Sequence, residues 1–109
     1  MRYSIVITVD AQRDIDDILD YIAMAESQQR ALGVLQQLET VVASLALLPE
    51  RGRQPRELTA LGISDIRERF FKPYRILYRI ADHQVRILLV ADGRRDMQTL
   101  LLRRLLGSG

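Results

Sequence analysis

Fifteen arginines against a single lysine give this sequence most of its capacity for chemistry, and their spacing is not random. In Tyr74-Arg75-Ile76-Leu77-Tyr78-Arg79 a period of two sets Arg75 and Arg79 on one face of a strand and Tyr74, Ile76 and Tyr78 on the other. Arg67 and Arg69 stand at the same spacing one strand earlier, and Arg94-Arg95 follow the next strand. Converging guanidiniums suit phosphate or carboxylate, because their planar fork donates bidentately and keeps its charge. Arginines at this spacing also cover open sheet faces with no role beyond solubility. If helices cover the Tyr/Ile face, Arg75 and Arg79 are expected on an open face, joined by Arg67, Arg69 and Arg95.

Other constellations are missing. The sequence offers no glycine-rich phosphate loop, no Cys/His metal spacing and no convincing Ser-His-Asp set. It has no cysteine, which excludes disulfides and thiolate metal sites; neither a metal nor a cofactor is expected. His83, the only histidine, falls in a hairpin turn at the far end of its strands from Arg94-Arg95 and is expected to be an exposed turn residue. Asp14, Asp16, Asp17 and Asp20 lie mostly off the apolar stripe of their helix and are expected to form a solvated face near its start.

These residues must be held by a small number of elements. Arg2 to Val9 alternates, with Tyr3, Ile5, Ile7 and Val9 on one face, which predicts a strand. Asp10 stands where an N-cap would, and Ile15, Ile18, Leu19 and Ile22 form the stripe of a helix running to about Ala25. A second helix is predicted from about Gln28 to Leu48, with Val34, Leu38, Val41, Leu45 and Leu48 as its seam, widened by Leu35 and Val42, and Pro49 as its stop. At about 1.5 Å per residue it would reach roughly 30 Å, enough to pair with the first helix and cover a sheet. Residues 50–64 read as a loop or partly ordered turn. Three strands follow, over Asp65–Phe71, from Pro73-Tyr74 to Ile80, and over Val85–Ala91, the last being the most apolar and so the most central. A final helix is predicted over Asp96–Leu106.

The order β-α-α-β-β-β-α segregates helices from strands, so the fold class is α+β with a mainly antiparallel sheet, packed by a helical hairpin and ending in a helix. A length of 109 residues is one domain, taken as 1–106, with 107–109 as a flexible tail. No apolar run approaches the roughly 20 residues needed to cross a bilayer. The opening MRYSIVITVD alternates rather than forming an apolar block, so it does not read as a signal peptide, and a cytoplasmic location is expected. The net charge of +2 hides an asymmetry: residues 1–50 hold three arginines and eight acids, and residues 51–109 hold thirteen cations and six acids. A basic half points to a phosphate-rich or acidic partner, or simply to charge balance between two layers.

The wording of IRERFFKPYRILYRIADHQVRILLVADGRRDMQTLLLRRLL, with the earlier VDAQRDIDDILDYIA, resembles the RelE/ParE superfamily of bacterial type II toxins, often labelled plasmid stabilisation proteins. The resemblance covers nearly the whole chain, and its most specific elements are the PYRILYRI strand and the strand-DGRRD-helix ending. It implies a toxin neutralised by a cognate antitoxin, and the superfamily divides by activity. One branch cuts mRNA on the ribosome without a metal. The resemblance then assigns Arg75 to an arginine of the YR strand and Arg95 to an arginine after the last strand, both gripping the scissile phosphate. The tyrosine of that branch falls on Leu101, and its lysines fall near Arg67 and Arg69, with Glu68 between them. Leucine cannot transfer a proton, and arginine is a poor base.

The resemblance therefore favours the ParE branch, whose members poison DNA gyrase by binding and are not enzymes in themselves. The alternatives are the ribosome-dependent mRNA endonuclease, or a non-toxic interaction module of the same fold. On the favoured reading Arg67, Arg69, Arg75, Arg79, Arg94 and Arg95 bind the target, and Arg75→Ala and Arg95→Ala are expected to leave folding intact. The final helix carries more apolar surface than one stripe needs, so Met97, Leu101, Leu102 and Leu105 are expected either to pack on the sheet or to meet the antitoxin. No membrane partner is expected, and a homodimer or a toxin–antitoxin hetero-oligomer is the expected assembly.

Overall fold

The structure, a computed structural model, describes residues 2–107. Its order is β1 (Ser4–Ile7), α1 (Val9–Ala25), α2 (Gln28–Ser44), a 3-10 turn (Pro49–Arg51), the short α3 (Arg56–Thr59), β2 (Ile66–Phe71), β3 (Tyr74–Ala81), β4 (Gln84–Asp92) and α4 (Met97–Gly107). The α+β class and element order are those the sequence predicts. The four strands lie in the order β1-β4-β3-β2. β1 runs parallel to β4, and the other pairings are antiparallel. Among the described residues no helix is long and apolar enough to cross a membrane. Of the expected tail, Gly107 ends α4 and residues 108–109 lie outside the described residues.

The helical hairpin forms because both helices bury one stripe on the same sheet face. Ile15 and Ile22 of α1 and Val34, Leu38 and Val42 of α2 meet Ile76, Tyr78, Val85, Ile87 and Val90 in one core. The start of α1 is capped by Thr8, not Asp10: its Oγ1 accepts from the Ala11 amide at 3.2 Å and donates to the Ile87 carbonyl at 2.8 Å. Val9 thereby leaves the strand and is exposed, as is Ile7 at the sheet edge. The second helix stops at Ser44, four residues short of its predicted end. Ala46 instead gives its carbonyl to the Tyr3 amide at 2.7 Å, so the chain is drawn towards the start of β1, and Leu48 turns outward.

The opposite sheet face is not open. Leu77, Leu89, Ala91 and Ile66 pack there against Leu58 of α3 and Met97 and Leu101 of α4. Leu89 reaches this face through a break in the ladder: Leu77 pairs with Leu89 but Tyr78 with Ile87, so Leu88 is the extra residue of a bulge. The sheet is thus sandwiched between the helical hairpin and the pair α3/α4. At the far end of β3, Asp82 and His83 turn the chain with φ of 51° and 60°, and the exposed His83 ring meets Tyr3 edge-on at 5.4 Å.

Beside the bulge, Arg104 donates from Nη1 to the Leu88 carbonyl at 2.7 Å and, through both Nη atoms, to Asp14 at 2.8 and 2.9 Å. Asp14 Oδ2 also accepts from the Val90 amide at 3.0 Å. One ion pair therefore satisfies two backbone groups of β4 and fastens α4 to α1. Asp14 is therefore no part of the solvated acidic face that the sequence suggests. Asp14→Asn is expected to cost about 1–3 kcal/mol of stability, because it uncouples a half-buried guanidinium and weakens the bond to Val90. Urea unfolding checks this; a loss no greater than that of an exposed control such as Asp17→Asn would contradict it.

Candidate functional site

The hairpin turn between β2 and β3 and the turn between β4 and α4 lie at the same end of the sheet, because Phe71 pairs with Tyr74 and Tyr74 with Asp92. The β2–β3 turn carries Lys72, and the β4–α4 turn carries Arg94 and Arg95, all exposed. On one side of these turns lies a groove of about 1050 Å³ walled by α3, with Arg53, Arg56, Glu57, Glu68, Phe70 and Arg75 among its lining residues. On the other side a groove of about 920 Å³ runs under the helical hairpin, lined by Tyr21, Arg30, Tyr74 and Arg95 among others. Lys72, Pro73 and Arg94 border both.

Arg75 forms the base of the first groove, 7% exposed. Its Nη1 and Nη2 donate to the two oxygens of Glu57, each at 2.8 Å. Its Nε donates to Glu68 Oε2 at 3.0 Å, and Nη2 donates to the same oxygen. Glu68 is 2% exposed and receives a further bond from Arg53 Nε at 3.2 Å. The geometry follows from local rules. Phe70 stands opposite Arg75 in the hairpin, so Glu68, two residues back, shares Arg75's face. Glu57 is brought over by α3, which Leu58 anchors in the core at 1% exposure. The backbones of Arg53 and Glu68 also bond reciprocally at 3.1 and 2.7 Å, so residue 53 closes the outer edge of β2.

The electrostatics match this closure. Hydrogen bonds from Arg75 hold the Glu57 carboxyl at about 2, well below its ordinary 4.5, and those same bonds raise the already high value of Arg75. A depressed carboxylate contributes stability in full above its unfolded value and loses it as pH falls through its folded one. The Glu57 contribution is therefore expected to be complete at pH 5 and to disappear between about 4.5 and about 2. Comparing urea midpoints of the wild type and Glu57→Gln checks this: the gap should be wide at pH 5 and narrow at pH 2.5. An equal gap at both pH values would contradict the assignment. Asp92 is held at about 2 in the same manner, chiefly by the side chain of Arg94, which grips both its oxygens at 2.9 and 2.6 Å.

The structure gathers only part of the predicted arginine face. Arg75 and Arg94 line one groove, and Arg95 the neighbouring one. Arg67 and Arg69 lie on the opposite sheet face from Arg75, since Arg69 stands across from Ile76 on the hairpin side. Arg67 donates to the Gly52 and Glu50 carbonyls at 2.9 and 3.3 Å. Arg79 reaches Asp65 at 2.8 Å, away from the grooves. Nor do Arg75 and Arg79 emerge on an open face, because α3 and α4 cover the middle of it. Met97 and Leu101 are core residues at 3% and 1% exposure; Leu102 and Leu105 are half-buried, and Leu106 is exposed. Sequence reasoning missed Glu57, Glu68, Arg53, Arg56 and Phe70 as groove residues. The hairpin register alone would have found Glu68 and Phe70.

Chemically, the arrangement offers anchored charge rather than proton transfer. Glu57 is held ionised in a bidentate pair, which makes it a poor base at neutral pH. Among the described residues no cluster of His, Cys, Asp or Glu is arranged to hold a metal ion.

Residues 5–97 match the family model for the ParE toxin of a type II toxin–antitoxin system. The chain is similar in fold to a solved structure of the chromosomal ParDE toxin–antitoxin system from P. aeruginosa. That match has a TM-score of 0.70 and 21% identity, over 84% of this chain and 96% of that one. It is also similar to the toxin–antitoxin complex RelBE2 from Mycobacterium tuberculosis, with a TM-score of 0.57 and 26% identity, over 84% of this chain and 92% of that one. No curated protein sequence matches the chain.

Proposed function

We propose, from the premise that this chain belongs to the ParE toxin family of type II toxin–antitoxin systems, that it acts on DNA gyrase as a binding poison and catalyses no reaction of its own. The observation that carries this reading is the state of Arg75. In the RNA-cutting branch the matching arginine would face a scissile phosphate. Here both edges of its guanidinium are filled by Glu57 and Glu68. Leu101, at the position of that branch's tyrosine, is buried in the core. The basic end of the sheet, with Lys72, Arg94 and Arg95 exposed, then serves as the surface that meets the target.

The partner in the cell is a cognate antitoxin, in keeping with the two toxin–antitoxin systems of similar fold. It would cover the part of α4 that the core leaves accessible, around Leu102, Leu105 and Leu106, since Met97 and Leu101 already support the sheet. A supercoiling assay with purified gyrase and relaxed plasmid, run beside a ribosome-dependent mRNA cleavage assay, tests the reading. Inhibited supercoiling with intact mRNA is the expected result; cut mRNA with unaffected gyrase would overturn it.

A further inference from the structure

β1 is an outermost strand of the sheet, and one side of it is unpaired. The Ser4 amide donates to the His83 carbonyl and the Thr8 amide to the Ile87 carbonyl, so even-numbered residues face β4 and odd-numbered ones face outward. The outward amide of Tyr3 is taken by the Ala46 carbonyl, whereas Ile5 and Ile7 present their N–H and C=O groups where the sheet ends. Apolar side chains gather along the same edge. Ile7, Leu47 and Leu48 are exposed, and Val9, at the start of α1, is 68% exposed. At the foot of the strand Tyr3, Leu47, Leu48 and Pro49 line a hollow of about 510 Å³. A bare edge with an apolar rim is a template for another strand, and no proline or lysine within β1 guards it.

We propose that the occupant of this edge is a second copy of the chain, its β1 antiparallel to the first about a two-fold axis at Val6. That register is self-complementary. Ile5 of each copy pairs with Ile7 of the other, and each pair exchanges both of its backbone bonds. Their side chains then stand side by side on the hairpin face, where Ile5 already packs. The same register sets Val9 of one copy opposite Tyr3 of the other, whose hollow receives it. It also sets Asp10 opposite the exposed Arg2, an acid against a base at each end of the ladder. The Tyr3 amide is already engaged by Ala46, so the ladder stops there, and an isologous contact closes at two copies. An unrelated strand would satisfy the amides but would not match the hollow and the charges at both ends. The edge residues line neither groove at the basic end, so the pairing leaves both grooves open and does not depend on the target.

Sedimentation velocity of the purified chain tests this, with amide hydrogen exchange followed by NMR on the same samples. The interface is small, under about 1,200 Å², so reversible pairing is expected, with monomer at about 1 μM and mostly dimer at about 1 mM. As the dimer forms, the Ile5 and Ile7 amides should gain protection from exchange. Val9→Asp should weaken pairing about tenfold or more, although an acid at a helix start favours the fold of the single chain. Ile7→Pro should abolish pairing, because an outward-facing amide can be lost without breaking the bonds to β4. Circular dichroism checks that both variants remain folded. A chain still monomeric at about 1 mM, with Ile5 and Ile7 exchanging freely, would overturn the proposal and leave the edge to a strand of another protein. A dimer that Val9→Asp and Ile7→Pro both leave unchanged would also overturn it, since the copies would then meet elsewhere.

Discussion

Arg75→Ala is expected to destabilise the protein by about 3–5 kcal/mol, because it leaves the Glu68 carboxylate buried with only the exposed Arg53 as counter-charge. Sequence reasoning alone expects this substitution to leave the fold intact, since an arginine on an open face contributes little. The structure reverses that expectation. Glu68 is 2% exposed, and removing one partner of a buried pair costs far more than the pair itself contributes. A domain of this size has about 5–15 kcal/mol of stability in total, so the variant should lose a large fraction of it. Adding Glu68→Gln to an Arg75→Met background removes the stranded charge and should recover part of the loss. Urea unfolding of the single and double variants makes the comparison. A loss below about 1 kcal/mol for Arg75→Ala would show that water reaches Glu68 and that the network is not structural. Arg95→Ala, by contrast, should leave stability unchanged, as its side chain is exposed.

Gly52→Ala is expected to cost about 3 kcal/mol or more, at the high end for overpacking. Gly52 has an ordinary extended backbone, so the reason is space and not conformation. A Cβ there would stand 2.3 Å from the Tyr78 hydroxyl and 2.6 Å from the Glu68 carbonyl. That hydroxyl is fully committed: it accepts from the Gly52 amide at 3.0 Å and donates to the Pro49 carbonyl at 2.6 Å, which fixes the 3-10 turn to the sheet. Moving Tyr78 aside would break both bonds and open the core, where its ring is wholly buried. Adding Tyr78→Phe to Gly52→Ala should restore part of the loss, because the hydroxyl contact disappears while the Glu68 carbonyl contact remains. A Gly52→Ala melting temperature equal to wild type would contradict the packing described here.

The elements that could be read from sequence are those whose signal lies within one element. Ile15, Ile18, Leu19 and Ile22 declare α1, and the alternation through Tyr74, Ile76, Tyr78 and Ile80 declares β3 and its buried face. What could not be read depends on contacts between distant segments. Asp14 and Arg104 are 90 residues apart, and their pairing is called for by a bulge at Leu88 that no local pattern announces. Glu57 looks like one more charged loop residue until Leu58 anchors α3 against the sheet. The arginine face failed for a simpler reason. The period of two assigns faces within a strand, but only the hairpin register relates Arg69 to Arg75, and it places them on opposite sides.

The central claim is that the protein acts by holding a target rather than by cutting RNA, and trapping of the gyrase–DNA cleavage complex tests it most directly. Titrating the purified toxin into gyrase, ATP and supercoiled plasmid, then denaturing and digesting the protein, should yield linear DNA in proportion to toxin. Plasmid that stays intact at stoichiometric excess of folded toxin, while the same preparation cleaves mRNA on ribosomes, would contradict the account.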